Sequence, residues 1–177
     1  MKNLKTIFIV SLATITLSAC TIKKPPQNLD IQATGGFEPG SVTIAIESSL
    51  SKNAKLDIMI KDDDSKKTIY ETTLKTDEKG RANKKISLDV GNKKLTGILL
   101  FKPENQPKAI QDKFGHYGQN IRSNALGYTV GKLHNEKYMY IKQYGSFLKF
   151  GAINDAGNLI FLNKKLKLDK EGNIVHN

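Results

Sequence analysis

Val42-Thr43-Ile44-Ala45-Ile46 sets the pattern for this chain, with β-branched apolar residues at every second position and small or polar ones between them. Strand side chains alternate between faces, so Val42, Ile44 and Ile46 share one face while Thr43 and Ala45 share the other. β-Branched residues suit a pleated, half-buried surface. The alternation returns at Leu56, Ile58 and Ile60, and again at Ile86, Leu88 and Val90. Thr68 to Leu74 reads as another strand, and Leu95 to Phe101 as a short, largely apolar strand of the buried kind. Turn-forming residues punctuate these runs: Gly35-Gly36, Pro39-Gly40, Asp62-Asp63-Asp64-Ser65, Asp77-Glu78-Lys79-Gly80 and Gly91-Asn92. Short strands at this spacing predict an all-β chain with a β-sandwich-like domain.

Pro103 and Pro107 interrupt the region 102–118, which reads as a linker or a long loop. Beyond it, Ala125 to Val130, Lys137 to Tyr144, Phe147 to Ile153 and Leu159 to Leu168 all admit strands, with turns at Asn154 to Asn158 and Asp169 to Asn173. The region 119–177 is therefore a C-terminal β region. It either extends the domain at 29–101 or forms a second small β lobe. After Cys20 no clean helical stripe runs for three turns.

Two stretches carry a resemblance within 29–101. Phe37-Glu38-Pro39-Gly40-Ser41-Val42-Thr43-Ile44 and Lys75-Thr76-Asp77-Glu78-Lys79-Gly80-Arg81-Ala82 resemble the opening strand and central hairpin of immunoglobulin-like or macroglobulin-like domains of bacterial surface proteins. The resemblance implies an immunoglobulin-like β-sandwich over that region. The core tryptophan and cysteine pair of antibody domains are absent from the sequence.

The N-terminus carries a second resemblance. Lys2 and Lys5 precede an apolar run from Ile7 to Leu17, too short to span a bilayer as a free helix, and Leu17-Ser18-Ala19-Cys20 follows. This resembles the signal peptide and lipobox of a bacterial lipoprotein. It implies removal of residues 1–19, a diacylglyceryl thioether on Cys20 and an acylated new N-terminus. Two or more acyl chains anchor stably where one does not. Residues 20–28 are then the lipidated cysteine and a short tether, with Thr21 to Asn28 reaching ~25 Å at full extension. Thr21 follows the cysteine where an aspartate does not, which resembles the pattern exported to an outer membrane in envelopes with two membranes. The expected location is the bacterial cell envelope, lipid-anchored. Cys20 is the only cysteine, so an internal disulfide is excluded and the fold stands on its own core.

The chain holds 28 Lys and Arg against 17 Asp and Glu, and only Arg81 and Arg122 are arginines. Lysine is a hydrated point charge, whereas bidentate reading of phosphates and bases falls to arginine. With the export signal, this argues against a nucleic-acid partner. It fits attraction to anionic lipid, anionic polysaccharide or an acidic protein.

No catalytic, metal or cofactor site is expected. His116, His134 and His176 match no compact metal signature, and Asp62 to Asp64 lack the glycine and distal glutamate of a helix-loop-helix calcium loop. Ser123 near His116, and Glu136 with Asp155, form no nucleophile or carboxylate constellation readable from sequence. The informative stretch is Phe114 to Phe150, rich in tyrosine and lysine. Tyrosine joins apolar area to a polar rim and is frequent in interfaces. Alternation puts Tyr138 and Tyr140 on one strand face and Lys137, Met139 and Ile141 on the other. The candidate binding surface is Tyr117, Tyr128, Lys137, Tyr138, Tyr140, Lys142 and Tyr144. The expected role is non-enzymatic: the bilayer holds the protein through Cys20, and this surface engages an envelope or host protein; the alternatives are an anionic polysaccharide or cell-wall ligand and, behind it, an enzyme or enzyme inhibitor.

Overall fold

The computed structural model describes residues 24–150 and 156–167. The expected signal peptide and Cys20, Asp155, the expected turn at Asp169 to Asn173 and His176 lie outside them. Among the described residues nine strands form: β1 Ile31–Glu38, β2 Ser41–Ser48, β3 Lys55–Asp62, β4 Thr68–Lys75, β5 Arg81–Ser87, β6 Leu95–Phe101, β7 Tyr128–Leu133, β8 Glu136–Lys149 and β9 Gly157–Leu162. A 3-10 turn at Pro103–Asn105 and one short helix, α1 at Lys108–Phe114, separate β6 from β7.

All nine strands belong to one antiparallel sheet, ordered β4-β3-β6-β8-β9-β1-β2-β5, with β7 added to β8. The sheet curls until β4 and β5 approach each other at its two ends, giving a nearly closed barrel. This corrects the expected β-sandwich and the alternative of two β lobes. Strand β8 pairs with β6, and β9 pairs with β1, so the C-terminal strands stand between two strands of the first region. Alternation in a sequence shows which face each strand buries. It does not show which strands pair, and here long-range pairing overrides the order along the chain.

One strand decides the closure. Lys137 to Tyr144 and Phe147 to Ile153 read as separate segments, but β8 runs unbroken for 14 residues. Its one side pairs with β6 through Ile141 to Ser146, while its other side pairs first with β7 and then with β9. Gln143 sits where β7 gives way to β9, and its buried Nε2 donates to the Ile31 carbonyl at 2.7 Å. Gly145 stands opposite Gly97 of β6 inside the barrel. A side chain at Gly97 would meet the Phe161 ring at 3.2 Å, so the facing glycines make room for that ring.

Val42, Ile44 and Ile46 line the interior with Leu56, Ile58, Ile60, Leu99 and Phe101, all of them buried. At one end α1 closes the barrel with buried Ile110 and Phe114, the latter edge-on to Phe101 at 5.8 Å.

The ends of the sheet do not pair with each other. A turn joins β4 to β5, with the Asp77 amide donating to the Arg81 carbonyl, and the strands then diverge into an open seam. Lys84 faces Ile44 across the β2–β5 pair, a position on the interior row, yet it is exposed at the opening. An inward-pointing charge on a strand edge is a recognised guard against edge-to-edge association.

Candidate functional site

Strand β6 is buried at all seven residues, so both of its faces are covered. Its interior face is Leu99 and Phe101. On the outer face, Ile98 and Leu100 form the floor of a groove of about 400 Å³. Register builds that groove: Met59 of β3 stands opposite Ile98, which stands opposite Tyr144 of β8, and Leu100 stands opposite Lys142. The β7–β8 hairpin supplies the wall through Tyr138, Tyr140, Gly131 and Leu133. It turns at His134 and Asn135, both with positive φ (50° and 68°), as a two-residue type I′ loop requires.

The wall is held firmly. Tyr138 is only 7% exposed. Its hydroxyl donates to the Glu104 carboxylate in the 3-10 turn. Burial, reinforced by that hydrogen bond, pushes the Tyr138 phenol above its ordinary range, so it stays neutral. Tyr140 stacks on it with centroids 5.2 Å apart and planes 17° from parallel. The Tyr140 ring leans over Gly131, where an added Cβ would lie 3.5 Å from it.

Cations border the groove. The Lys102 ammonium pairs with Asp57 at 2.9 Å, both largely shielded. Lys142 lies 4.9 Å from the Tyr144 ring centroid, a cation–π contact. Among the described residues, Lys61 and Lys142 have no carboxylate within ion-pair distance. Past Lys61 the outer face is closed by the segment after β9, where the Leu166 amide donates to Ser146 Oγ and Lys165 pairs with Asp63.

The seven residues expected to form the surface divide between different places. Tyr138, Tyr140, Lys142 and Tyr144 share the outer face of β8, and all but Tyr144 line the groove. Tyr128 packs against the core from the interior side, opposite Ile141. Lys137 is exposed on the face of β8 opposite the groove, beside Lys132. Tyr117 sits in the loop after α1, edge-on to His116 at 4.8 Å, and its carbonyl accepts the Met139 amide. Met59, Lys61, Ile98, Leu100, Lys102 and Glu104 were not expected at the site. The available signal was β6 itself: a strand without alternation has something over both faces.

Among the described residues no cluster of three or more His, Cys, Asp or Glu converges as metal ligands. Asp62 instead closes its turn, its Oδ1 accepting the Asp64 and Ser65 amides at 2.9 and 2.8 Å. No helix of the described residues is long and apolar enough to cross a membrane. The chain matches no protein-family model, no curated protein and no solved structure.

Proposed function

We propose that the protein is a lipid-anchored lipoprotein of the bacterial cell envelope that works by binding a protein partner, with the groove on the outer face of β3, β6 and β8 as its recognition surface. The observation that carries this reading is the Tyr138–Tyr140 stack, pinned by Glu104 beside an apolar floor. Binding energy concentrates in well-packed, desolvated pockets with tyrosine anchors. A wall already held in place also avoids the entropy of ordering side chains on association. Lys61 and Lys142 then favour a partner that brings carboxylates to the rim.

The alternative occupant is an anionic polysaccharide, favoured by the same two lysines beside aromatic rings. The stack counts against it. Sugars lie on open ring faces, whereas Tyr138 is buried and the two rings cover each other. The acylated Cys20 adds effective concentration at the membrane without adding contacts.

The test is co-purification from the native envelope after cross-linking, with the intact protein beside Tyr140→Ala and an unanchored Cys20→Ser form. The expected result is one stoichiometric protein partner, lost with Tyr140→Ala and depleted with Cys20→Ser. Capture of glycan with no protein would replace this reading with the alternative. A partner retained by Tyr140→Ala would move recognition away from the groove.

A further inference from the structure

The described chain begins already fixed to the barrel. The Lys24 ammonium donates to the Asp112 carbonyl of α1 at 2.7 Å. Three residues on, the backbone of Gln27 is held from both sides. Its amide donates to the Asn120 carbonyl at 2.6 Å, and its carbonyl accepts the Arg122 amide at 2.9 Å. Leu29 then enters the core. The described chain therefore enters the barrel beside α1, at a defined place. Cys20 stands four positions before Lys24, a span of ~14 Å at most.

That end of the barrel is also strongly basic. Lys24, Lys108, Lys113 and Arg122 are all exposed around the entry point. The carboxylate among them is Asp112, and it is engaged by Lys108. Helix α1 turns Ile110 and Phe114 inward, which leaves Lys108, Ala109, Asp112 and Lys113 outward. The Lys113 ammonium lies 5.0 Å from the Phe114 ring centroid, so its stem runs along the helix surface.

We propose that the α1 end of the barrel is a lipid-facing surface that rests on anionic phospholipid headgroups. The inference rests on the acylation of Cys20 read above. A short tether brings this end to the bilayer, and the excess of cations there is the charge that an anionic leaflet attracts. The docking orients the barrel. The groove adjoins this end, because Glu104 lies in the 3-10 turn and Lys102 just before it, and the Glu104 carbonyl accepts from Gln111 of α1. The groove therefore opens close to the membrane, and its partner must approach along the same surface.

The test uses full-length protein purified from its envelope. Its intact mass reads the acyl chains on Cys20, and lysine acetylation rates are then compared on vesicles of phosphatidylcholine alone and of phosphatidylcholine with phosphatidylglycerol. Lys108 and Lys113 should label severalfold more slowly on the anionic vesicles, with the difference lost at high salt, while Lys84 at the seam is unchanged. Equal labelling in acylated protein overturns the proposal and leaves the anchor reading intact. A mass without acyl chains instead overturns the anchor reading. The surface is then judged on Cys20→Ser protein by sedimentation with the same anionic vesicles. There, Lys108→Glu, Lys113→Glu and Arg122→Glu together should weaken binding on the order of a hundredfold, at about fivefold for each basic residue near an anionic surface. Unchanged sedimentation of that triple variant overturns the surface.

Discussion

The wall around β6 and the seam between β4 and β5 are made of similar strands, yet they end in opposite states. Every residue of β6 is buried, whereas β4 buries only Leu74. At the wall, both faces of β6 are covered, and β3, β6 and β8 are each paired on both sides. At the seam, two strands leave a shared turn and each pairs only on its far side. The wall carries a groove whose floor, Ile98 and Leu100, is buried and bordered by tyrosine and lysine side chains. The seam carries unpaired backbone edges, and Lys84 holds a charge on the row where the barrel elsewhere places isoleucine. One region is built to present a surface, the other to keep an edge unoccupied.

The largest contrast is in stability. Leu99→Ala on β6 empties the barrel interior and should cost about 2–5 kcal/mol. Ile69→Ala at the seam, where the side chain is already exposed, should stay within about 0.5 kcal/mol. Urea unfolding of the two variants reads this difference, and equal losses would break the comparison. Next is Gly145→Val. A Cβ there would lie 2.9 Å from both Leu159 and the Phe161 ring, so overpacking should cost about 1–3 kcal/mol, with displacement of Phe161 visible by NMR.

A pH dependence sharpens the groove side. The folded Tyr138 phenol has its pKa raised by burial and by Glu104, so the folded chain keeps a proton that the unfolded chain releases above pH about 10. That contribution is fully present below pH 10 and is lost as pH rises beyond it, at up to about 1.4 kcal/mol per unit. Tyr138→Phe should flatten the alkaline limb relative to the parent protein. Identical alkaline limbs would mean that Tyr138 is not held neutral in the fold. The smallest energetic effect is expected at the seam. Lys84→Ile should change stability by less than about 0.5 kcal/mol but promote self-association, read by sedimentation velocity across concentrations. A strictly monomeric Lys84→Ile would show that the charge guards nothing.

Much of the strand content was legible before any coordinates. Leu95 to Phe101 and Thr68 to Leu74 are strands within a residue of their expected ends, because apolar runs and the turn residues that bound them are local properties. Partner choice is not local. Nothing near Tyr144 announces Ile98, and nothing near Ile31 announces Gln143, so the sandwich expectation failed at the step where strands are assigned to sheets. The segments expected to end at Tyr144 and to begin at Phe147 are joined in β8, where Gly145 leaves room for the Phe161 ring. The site followed the same division. Tyr138, Tyr140, Lys142 and Tyr144 share a face by simple alternation. Tyr128 lies apart from them because β7 turns it toward the core, and Tyr117 because the loop after α1 carries it. Met59 and Glu104 reach the groove only through register and the turn after β6.

The most direct measurement places a photo-crosslinking amino acid at Lys61 on the groove rim and, in a separate protein, at Lys84 in the seam, with both irradiated in the native envelope. The expected result is a single protein adduct from Lys61 and none from Lys84. An adduct from Lys84 with none from Lys61 would contradict the assignment of recognition to the groove and give it to the open edge of the barrel.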